Sequence, residues 1–423
     1  MLGLRTMSES NDTLRERGPG AAELDALIDG ALADEAFPCI ACGLWIDGRE
    51  RYLRFAGSAD PGAAGAIGVG PSGSFGPETL FDAASLTKPL ATAPLALIAR
   101  DSAALDLAAP VGRYLPEINT AAAGVPVGSL LTHTSGLPAI PAIERAFPGL
   151  AERSALNTND RTTGSGRICA EGGAPAIDRA RAVKALLAIE PERPVGRGVV
   201  YSCTGYMLLG LILERLSGQT LGGLYRTAMA EPLGLPRARF ASGIGADGGP
   251  APIEGAAPTE FCAWRGRRVR GQVHDESAYC FGGQAGNAGL FVSLEDVRRT
   301  AAAYLGAGAA VTPVPGAAAL GATASSLSPR ALLDLEEDRT PGLNEARSLG
   351  FRMNDGTTFA GPLWPASSFG HTGFTGTSLA IWPERRMIAI ILTNRVYFGR
   401  ERTMQKMADF RVAFHSIAAR RFQ

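Results

Sequence analysis

The sequence predicts an α+β fold: an antiparallel sheet flanked by N- and C-terminal helices, with a mostly helical lobe inserted. Three observations predict it. Near the N-terminus, "CGLWIDGRERYLRFAG" sets two apolar runs around the turn signal "DGRE" and reads as a β-hairpin. Near the C-terminus, "TSLAIWPERRMIAIILTN" sets two β-type runs around "PERR" and reads as a second. Between the two hairpins run apolar helical stretches with long interruptions. One sheet whose two ends in sequence meet in space, with helices inserted between them, accommodates all three.

The elements come in this order. Residues 1–20 are polar and read as a disordered tail, with Met7 a candidate start. From Ala21 to Leu32, the residues Leu24, Leu27, Ile28, Ala31 and Leu32 share one helical face. The first hairpin comes next, then a buried helix over 85–100. Residues 145–180 are rich in Gly, Ser, Thr and Asn and predict a flexible insertion or lid. "GYMLLGLILERLS", 205–217, reads as another apolar helix, and the Gly-, Ala- and Pro-rich 241–258 as loop. After the second hairpin, Met404, Met407, Phe410, Phe414 and Ile417 mark an amphipathic closing helix. The expected division is an α/β lobe from 21–84 with 285–423, and a helical lobe from 85–284.

Composition narrows the function. The chain has 423 residues, 46% of them apolar and 19% charged, enough for a large core and too apolar for disorder. Acids and bases balance at 41 each, which argues against a nucleic-acid partner. The one dense basic run, "RGRRVR" at Arg265–Arg270, reads as a solvated loop. Cysteines stand at 39, 42, 169, 203, 262 and 280. Cys39 and Cys42 form a C-x-x-C, but no second pair follows, and "CIACGLWI" reads as a strand. Buried free thiols are expected, and neither a zinc ribbon nor a thioredoxin-like site. His274-Asp275-Glu276 lacks further ligands at suitable spacing, His133 is read as ordering a turn, and His415 as a partly exposed helix residue. No metal and no cofactor are expected. No run is long enough to span a membrane, and the N-terminus has no apolar signal core, which predicts a cytoplasmic location.

One residue type is telling. The chain carries three lysines, Lys88, Lys184 and Lys406, and arginine elsewhere. Lys88 closes "SLTK", the one S-x-x-K in the sequence. On a helix, i and i+3 share a face, so Ser85 and Lys88 point to the same space. A serine hydroxyl needs a base to become a nucleophile. A buried lysine can shed its proton because desolvation penalises the charged form, whereas an arginine cannot. Tyr201, in "VVYSCTGYMLLG", is a second candidate base if a lysine cation lowers its pKa. "SFGHTGFTGTSLAIW" places His371, Thr372 and Gly373 at the start of a strand, where the glycine permits close approach of a substrate. The amides of Ser85 and Phe374 can then form an oxyanion hole.

Taken together, Ser85-Leu-Thr-Lys88, Tyr201-Ser-Cys203 and His371-Thr-Gly373 resemble the S-x-x-K, Y-x-N and K/H-T-G series of the serine β-lactamase and penicillin-binding-protein superfamily, in its class C and esterase-like branch. "LLTHTSGLP", "PLGLP", "VHDESAYCFGGQAGNAGLF" and "LTNRV" look like the same branch. The resemblance covers about residues 21–423. It implies a β-lactamase/DD-peptidase-like fold with the site between two lobes. It implies Ser85 as nucleophile, Lys88 and Tyr201 as the base pair, and the Ser85 and Phe374 amides as oxyanion hole. His371, Thr372, Gly373 and Cys203 would bind substrate.

Three departures qualify it. Cys203 stands where the family has Asn or Asp, and a thiol is a weak donor and acceptor. Asn287 stands where close relatives have His. His371 replaces a lysine and is mostly neutral at pH 7, which tilts the substrate toward a neutral ester or amide. The reading is a serine hydrolase, esterase or peptidase, acting on a small molecule or peptide through an acyl-Ser85 intermediate. The alternatives are a D-Ala-D-Ala carboxypeptidase or weak β-lactamase, and a catalytically impaired protein that binds cell-wall fragments or peptides. Relatives are often exported, so a periplasmic or extracellular location stays open, and the oligomeric state is not legible.

Overall fold

A computed structural model of the protein describes residues 18–62, 75–141, 143, 147, 177–263, 265–306, 327–357 and 359–422. The expected N-terminal tail and most of the expected insertion at 145–180 lie outside the described residues, as does Cys169. The strands are β1 (Cys39–Ile46), β2 (Arg49–Gly57), β3 (Phe81–Asp82), β4 (Arg239–Phe240), β5 (Phe261–Cys262), β6 (Arg267–Arg268), β7 (Leu290–Val292), β8 (Arg352–Met353), β9 (Phe369–Thr372), β10 (Ser378–Trp382) and β11 (Met387–Thr393).

Both hairpins form. In the first, Ile46 faces Arg49, leaving a two-residue turn at Asp47 and Gly48. Both have positive φ, 51° and 73°, the twist that two-residue hairpins need. In the second, β10 and β11 are joined through Pro383–Arg385 and a left-handed Arg386. The hairpins then pair with each other, β1 antiparallel to β11 with Ile40 opposite Thr393 and Ile46 opposite Met387. The six-stranded sheet runs β2-β1-β11-β10-β9-β8, so its centre is made by the two ends of the chain.

The side-chain period of two splits each central strand between two cores. Ile40, Cys42, Leu44, Met387, Ala389 and Ile391 pack under the helices Pro19–Ala33 and Met404–Arg421. Cys39, Ala41, Ile388, Ile390 and Leu392 face the larger core shared with the inserted helices. Cys39 and Cys42 therefore lie on opposite faces, and both thiols are buried and free.

Two short sheets support the site. β3 pairs with β7, and β7 with β4; β5 pairs with β6. The last pair corrects the reading of "RGRRVR". Arg265 is buried, donates to the carbonyl of Val273 at 2.8 Å and stacks on Tyr279 at 4.4 Å. Arg268 lies 3.6 Å over the Tyr397 ring, and Arg270 pairs with Asp60. Planar guanidinium groups stacked on aromatic faces pack where a solvated loop was expected.

The closing helix buries Met407, Phe410, Phe414 and Ile417 but leaves Met404 exposed. It also buries His415 completely, against the expectation. Trp364 stands edge-on to its ring at 5.2 Å, and its Nδ1 meets the Arg411 carbonyl at 2.7 Å. Burial lowers the His415 pKa to about 4, although that carbonyl contact works the other way. The unfolded chain takes up a proton near pH 6.5 that the folded helix refuses until about pH 4. Between those limits the unfolded state binds more protons, so stability falls as pH is lowered. Urea unfolding at pH 7 and pH 5 checks this. His415→Leu should lose about 2 kcal/mol less than wild type over that step; equal losses would remove His415 as the cause.

Candidate active site

Ser85 enters from β3 through one strained residue. Ala84, just before it, has φ of 48°, a left-handed conformation that costs a non-glycine residue about 1–2 kcal/mol. The buried Asp82 carboxylate accepts the Ala84 N–H at 2.8 Å and holds the turn. The segment after it departs from the expected regular helix over 85–100. Ala84–Leu86 is a 3₁₀ turn, Lys88–Thr92 a π-turn, and Ala93–Asp101 the α-helix proper. Two prolines give the reason. In the π-turn the Ala93 N–H bonds the Lys88 carbonyl. Pro94 has no N–H for the next carbonyl, that of Pro89. Tyr304 supplies the missing donor, its hydroxyl lying 2.5 Å from the Pro89 oxygen.

The widened turn still brings Ser85 and Lys88 together. Lys88 Nζ lies 3.1 Å from Ser85 Oγ, 3.1 Å from the Asn287 carbonyl and 3.5 Å from Cys203 Sγ. It also lies over the rings of Tyr201 and Tyr206, at 4.9 and 5.6 Å. Asn287 thus contributes its backbone, which no side-chain pattern reveals. Its loop is fixed by Thr92 Oγ1, which donates to the Gly286 carbonyl at 2.7 Å. Gly286 must be glycine, since a Cβ would stand 1.9 Å from the Tyr206 carbonyl.

Tyr201 is delivered by the segment before the helix Cys203–Ser217, which Ser202 caps by accepting the Gly205 N–H. Its hydroxyl reaches Ser85 Oγ at 2.7 Å. The loop from His133 to Ala139 grips the backbone on both sides. Val200 N–H bonds the His133 carbonyl, Ser202 N–H bonds His133 Nδ1 at 3.0 Å, and Cys203 N–H bonds the Ala139 carbonyl. His133 itself has φ of 60° and packs against Tyr201 at 4.6 Å with the rings tilted by 40°. It orders a turn, as expected, and also packs against the Tyr201 ring.

β9 closes the far side. His371 lies 5.9 Å from the Tyr201 ring and its Nδ1 meets the Thr372 carbonyl at 2.9 Å. Gly373 admits no side chain, because a Cβ would stand 2.1 Å from Thr377 Oγ1 and 2.6 Å from the Ala83 carbonyl. Phe374 follows, partly exposed. All the residues expected from the sequence therefore gather within one region. A cavity of about 540 Å³ opens over Ser85, Tyr201, His371, Thr372, Gly373 and Phe374. Its other walls carry Arg347, Arg352, Arg395, Arg411 and Glu345, which sequence patterns did not single out.

The charge state corrects one expectation. Burial pulls Lys88 down, but Cys203 and Tyr201 in their ionised forms pull it up, and the balance lies above the ordinary lysine value. Burial raises Tyr201 too, against the lowering effect of Lys88. Both members of the pair thus hold their protons more tightly than usual, against the expectation of a lysine lowered by burial. Burial, with Arg347 and Lys88 nearby, holds His133 and His371 well below the usual histidine value, so both are neutral. Lys88 reaches Ser85 with its amine and Tyr201 reaches it with its oxygen, the geometry that nucleophilic catalysis by serine requires.

Comparison with known proteins bears on the family and the fold. The Beta-lactamase family model matches residues 24–414. The "Putative D-alanyl-D-alanine carboxypeptidase" of Escherichia coli (strain K12) is 28% identical over an alignment of 345 residues that covers 75% of this chain and 69% of that protein. Among solved structures, "EstCE1, a hydrolase with promiscuous acyltransferase activity" superposes with a TM-score of 0.64 at 18% identity, covering 93% of this chain and 98% of the other. A class C beta lactamase from Rhodobacter sphaeroides gives a TM-score of 0.60 at 18% identity, covering 94% and 99%. These structural likenesses share the α+β fold. With the family model spanning nearly the whole chain, the protein belongs to the Beta-lactamase family and is a hydrolase of its serine β-lactamase and penicillin-binding-protein type.

Proposed function

We propose that the protein cleaves an ester or amide through an acyl-Ser85 intermediate. The observation that carries this is the double contact on Ser85 Oγ, from Lys88 Nζ at 3.1 Å and from Tyr201 at 2.7 Å. Once the Lys88–Tyr201 pair has released one proton to solvent, Ser85 Oγ attacks the substrate carbonyl and its proton passes to that pair. The amides of Ser85 and Phe374 receive the oxyanion, and the pair returns the proton to the leaving group. Water then attacks the acyl-enzyme by the reverse transfers. Cys203 offers Lys88 only a weak acceptor at 3.5 Å. Both stronger contacts on Ser85 remain, which favours turnover over a binding-only role.

A carboxypeptidase reading gains from a second observation. Arg395 and Arg411 line the cavity, and among the described residues neither pairs with a carboxylate. Arg411 instead donates to the carbonyls of Gly373 and Thr377. Burial pushes Arg395 down to about 10, and burial with the Arg395 charge pushes Arg411 to about 9. An acidic group on the substrate relieves both. A C-terminal carboxylate, such as a D-Ala-D-Ala peptide carries, fits this wall better than the neutral substrate suggested by His371 alone.

The acyl-enzyme itself is the first thing to test. Wild type should show an acyl adduct in intact mass spectra during hydrolysis of a short-chain aryl ester. Ser85→Ala should show none and lose about 10⁴-fold or more in kcat. Lys88→Arg should lose about 10³-fold, because a guanidinium does not shuttle the proton; an active Lys88→Arg enzyme would sink the base assignment. An adduct that never turns over would favour the binding-protein reading.

The pH profile is the second. Reaction needs one proton removed from a pair whose members both hold protons more tightly than usual. kcat/KM should therefore climb with pH through neutrality into the alkaline range, without a histidine step near 6.5. A plateau above an inflection near 6.5 would contradict it.

The third compares substrates. Arg395→Met should raise KM for a peptide ending in D-Ala-D-Ala by about tenfold, a loss of about 1.4 kcal/mol, and leave the neutral ester's KM unchanged. Equal effects on the two would remove the acidic-substrate reading.

A further inference from the structure

The oxyanion hole of Ser85 and Phe374 draws its two amides from segments nearly three hundred residues apart in sequence, and something must fix their spacing. Part of the link is direct. Thr375 Oγ1 donates to the Asp82 carbonyl at 2.9 Å and Thr377 Oγ1 to the Ala83 carbonyl at 3.0 Å. These bonds join the turn after β9 to the chain just before Ser85. They do not hold Phe374 itself, whose ring is partly exposed.

His274 completes the link. Its backbone N–H donates to Asp82 Oδ2 at 2.6 Å. The other oxygen of the same carboxylate holds the left-handed Ala84 beside Ser85. Its imidazole stacks on the Phe374 ring at 5.6 Å with 28° between planes. The ring is buried and anchored from behind. His274 Nε2 lies 3.2 Å from Glu260 Oε1, though not aligned as a hydrogen bond. Glu260 is also gripped by Arg400, whose Nε meets Oε2 at 2.7 Å. Arg400 in turn pairs with Glu276 at 2.5 Å. Burial works against the Glu260 carboxylate, but His274 and Arg400 hold it well below its ordinary value. Arg395 and Arg400 lie over the Phe374 ring at 4.7 and 5.8 Å. The cluster that brings Glu260, Cys262 and Glu276 together is thus filled by a guanidinium.

We infer that His274 is a positioning residue for the oxyanion hole, its main chain holding the Ser85 turn and its ring holding Phe374, so that one residue sets the spacing of the two amides. The inference rests on the acyl-Ser85 reading and concerns placement only, since His274 touches neither Ser85 Oγ nor the base pair.

The test uses the full chain, a short-chain aryl ester as substrate and phenylboronic acid as a tetrahedral mimic. His274→Ala keeps the N–H to Asp82 and removes the ring. It should lower kcat about 10- to 100-fold, change KM by less than about threefold and weaken boronic acid inhibition by the same factor as kcat. The shape of the pH profile should not move. His274→Phe restores a ring against Phe374 and should bring kcat back to within about threefold of wild type. If His274→Ala does not fold, Glu260→Gln reads the same link, with a parallel drop in kcat and boronic acid affinity. A His274→Ala enzyme with wild-type kcat overturns the inference. So do a loss confined to KM, a boronic acid affinity that does not follow kcat, a Phe variant no better than Ala, and, where Glu260→Gln is the test, an unchanged kcat. A wild type that forms no acyl-Ser85 overturns the parent reading and this one with it. Normal acylation with an indifferent His274→Ala overturns this one alone.

Discussion

The site is organised around a buried ammonium that, among the described residues, touches no carboxylate. Removing a charge from water costs several kcal/mol unless dipoles replace the lost hydration. Lys88 finds three acceptors, Ser85 Oγ, the Asn287 carbonyl and Cys203 Sγ, and two aromatic faces. Each acceptor comes from a different segment, so satisfying this one amine forces the convergence of the Ser85 turn, the glycine-rich loop and the helix carrying Cys203. The π-turn that begins at Lys88, and the Tyr304 hydroxyl that tolerates it, belong to the same requirement.

How much of the fold is legible in the sequence depends on how local the cause is. Hairpins are written locally, because Asp47 and Gly48 supply the positive φ that a two-residue turn needs. The S-x-x-K contact is local as well, and survives even though the regular helix behind it does not form. The sheet's closure between β1 and β11 was readable from the order of elements, a hairpin near each end of the sequence with helices between. By contrast, the burial of His415 depends on Trp364, about fifty residues earlier, and that of Arg265 on the Tyr279 ring. Their own neighbours in sequence say nothing of this. Arg347, Arg395 and Arg411 reach one cavity from three separate elements, so no spacing rule could group them.

Lys88 shows where residue-by-residue reasoning misled. Burial alone lowers a lysine, and the sequence reading rested on burial. In the folded site two acidic neighbours, Cys203 and Tyr201, outweigh it. The substitution of a thiol at position 203 therefore changes more than a hydrogen-bond partner. An amide there would accept from Lys88 without ever taking a charge, whereas the charged form of a thiol strengthens the hold of Lys88 on its proton. Lys88 and Tyr201 share their protons as a pair, and neither titrates independently of the other.

The same logic relocates the positive charge of the cavity. A lysine at position 371 would place an ammonium on the floor of the cleft. Here His371 is held neutral by burial and by the cations around it, Arg347 first among them. The charge has moved behind β9, to Arg395 and Arg411, whose guanidinium groups brace the turn from Gly373 to Thr377 and the ring of Phe374. With no carboxylate on either among the described residues, backbone carbonyls and the Phe374 ring share the burden of these two like charges, Arg395 buried and Arg411 half-buried. An anion arriving in the cavity therefore meets charges already tied to the oxyanion turn. Binding it would relieve their mutual repulsion and stiffen the segment that carries the Phe374 amide. On the proposed reading, recognition of substrate charge and placement of the Phe374 amide become mechanically one event, which a lone lysine at the strand end would keep separate.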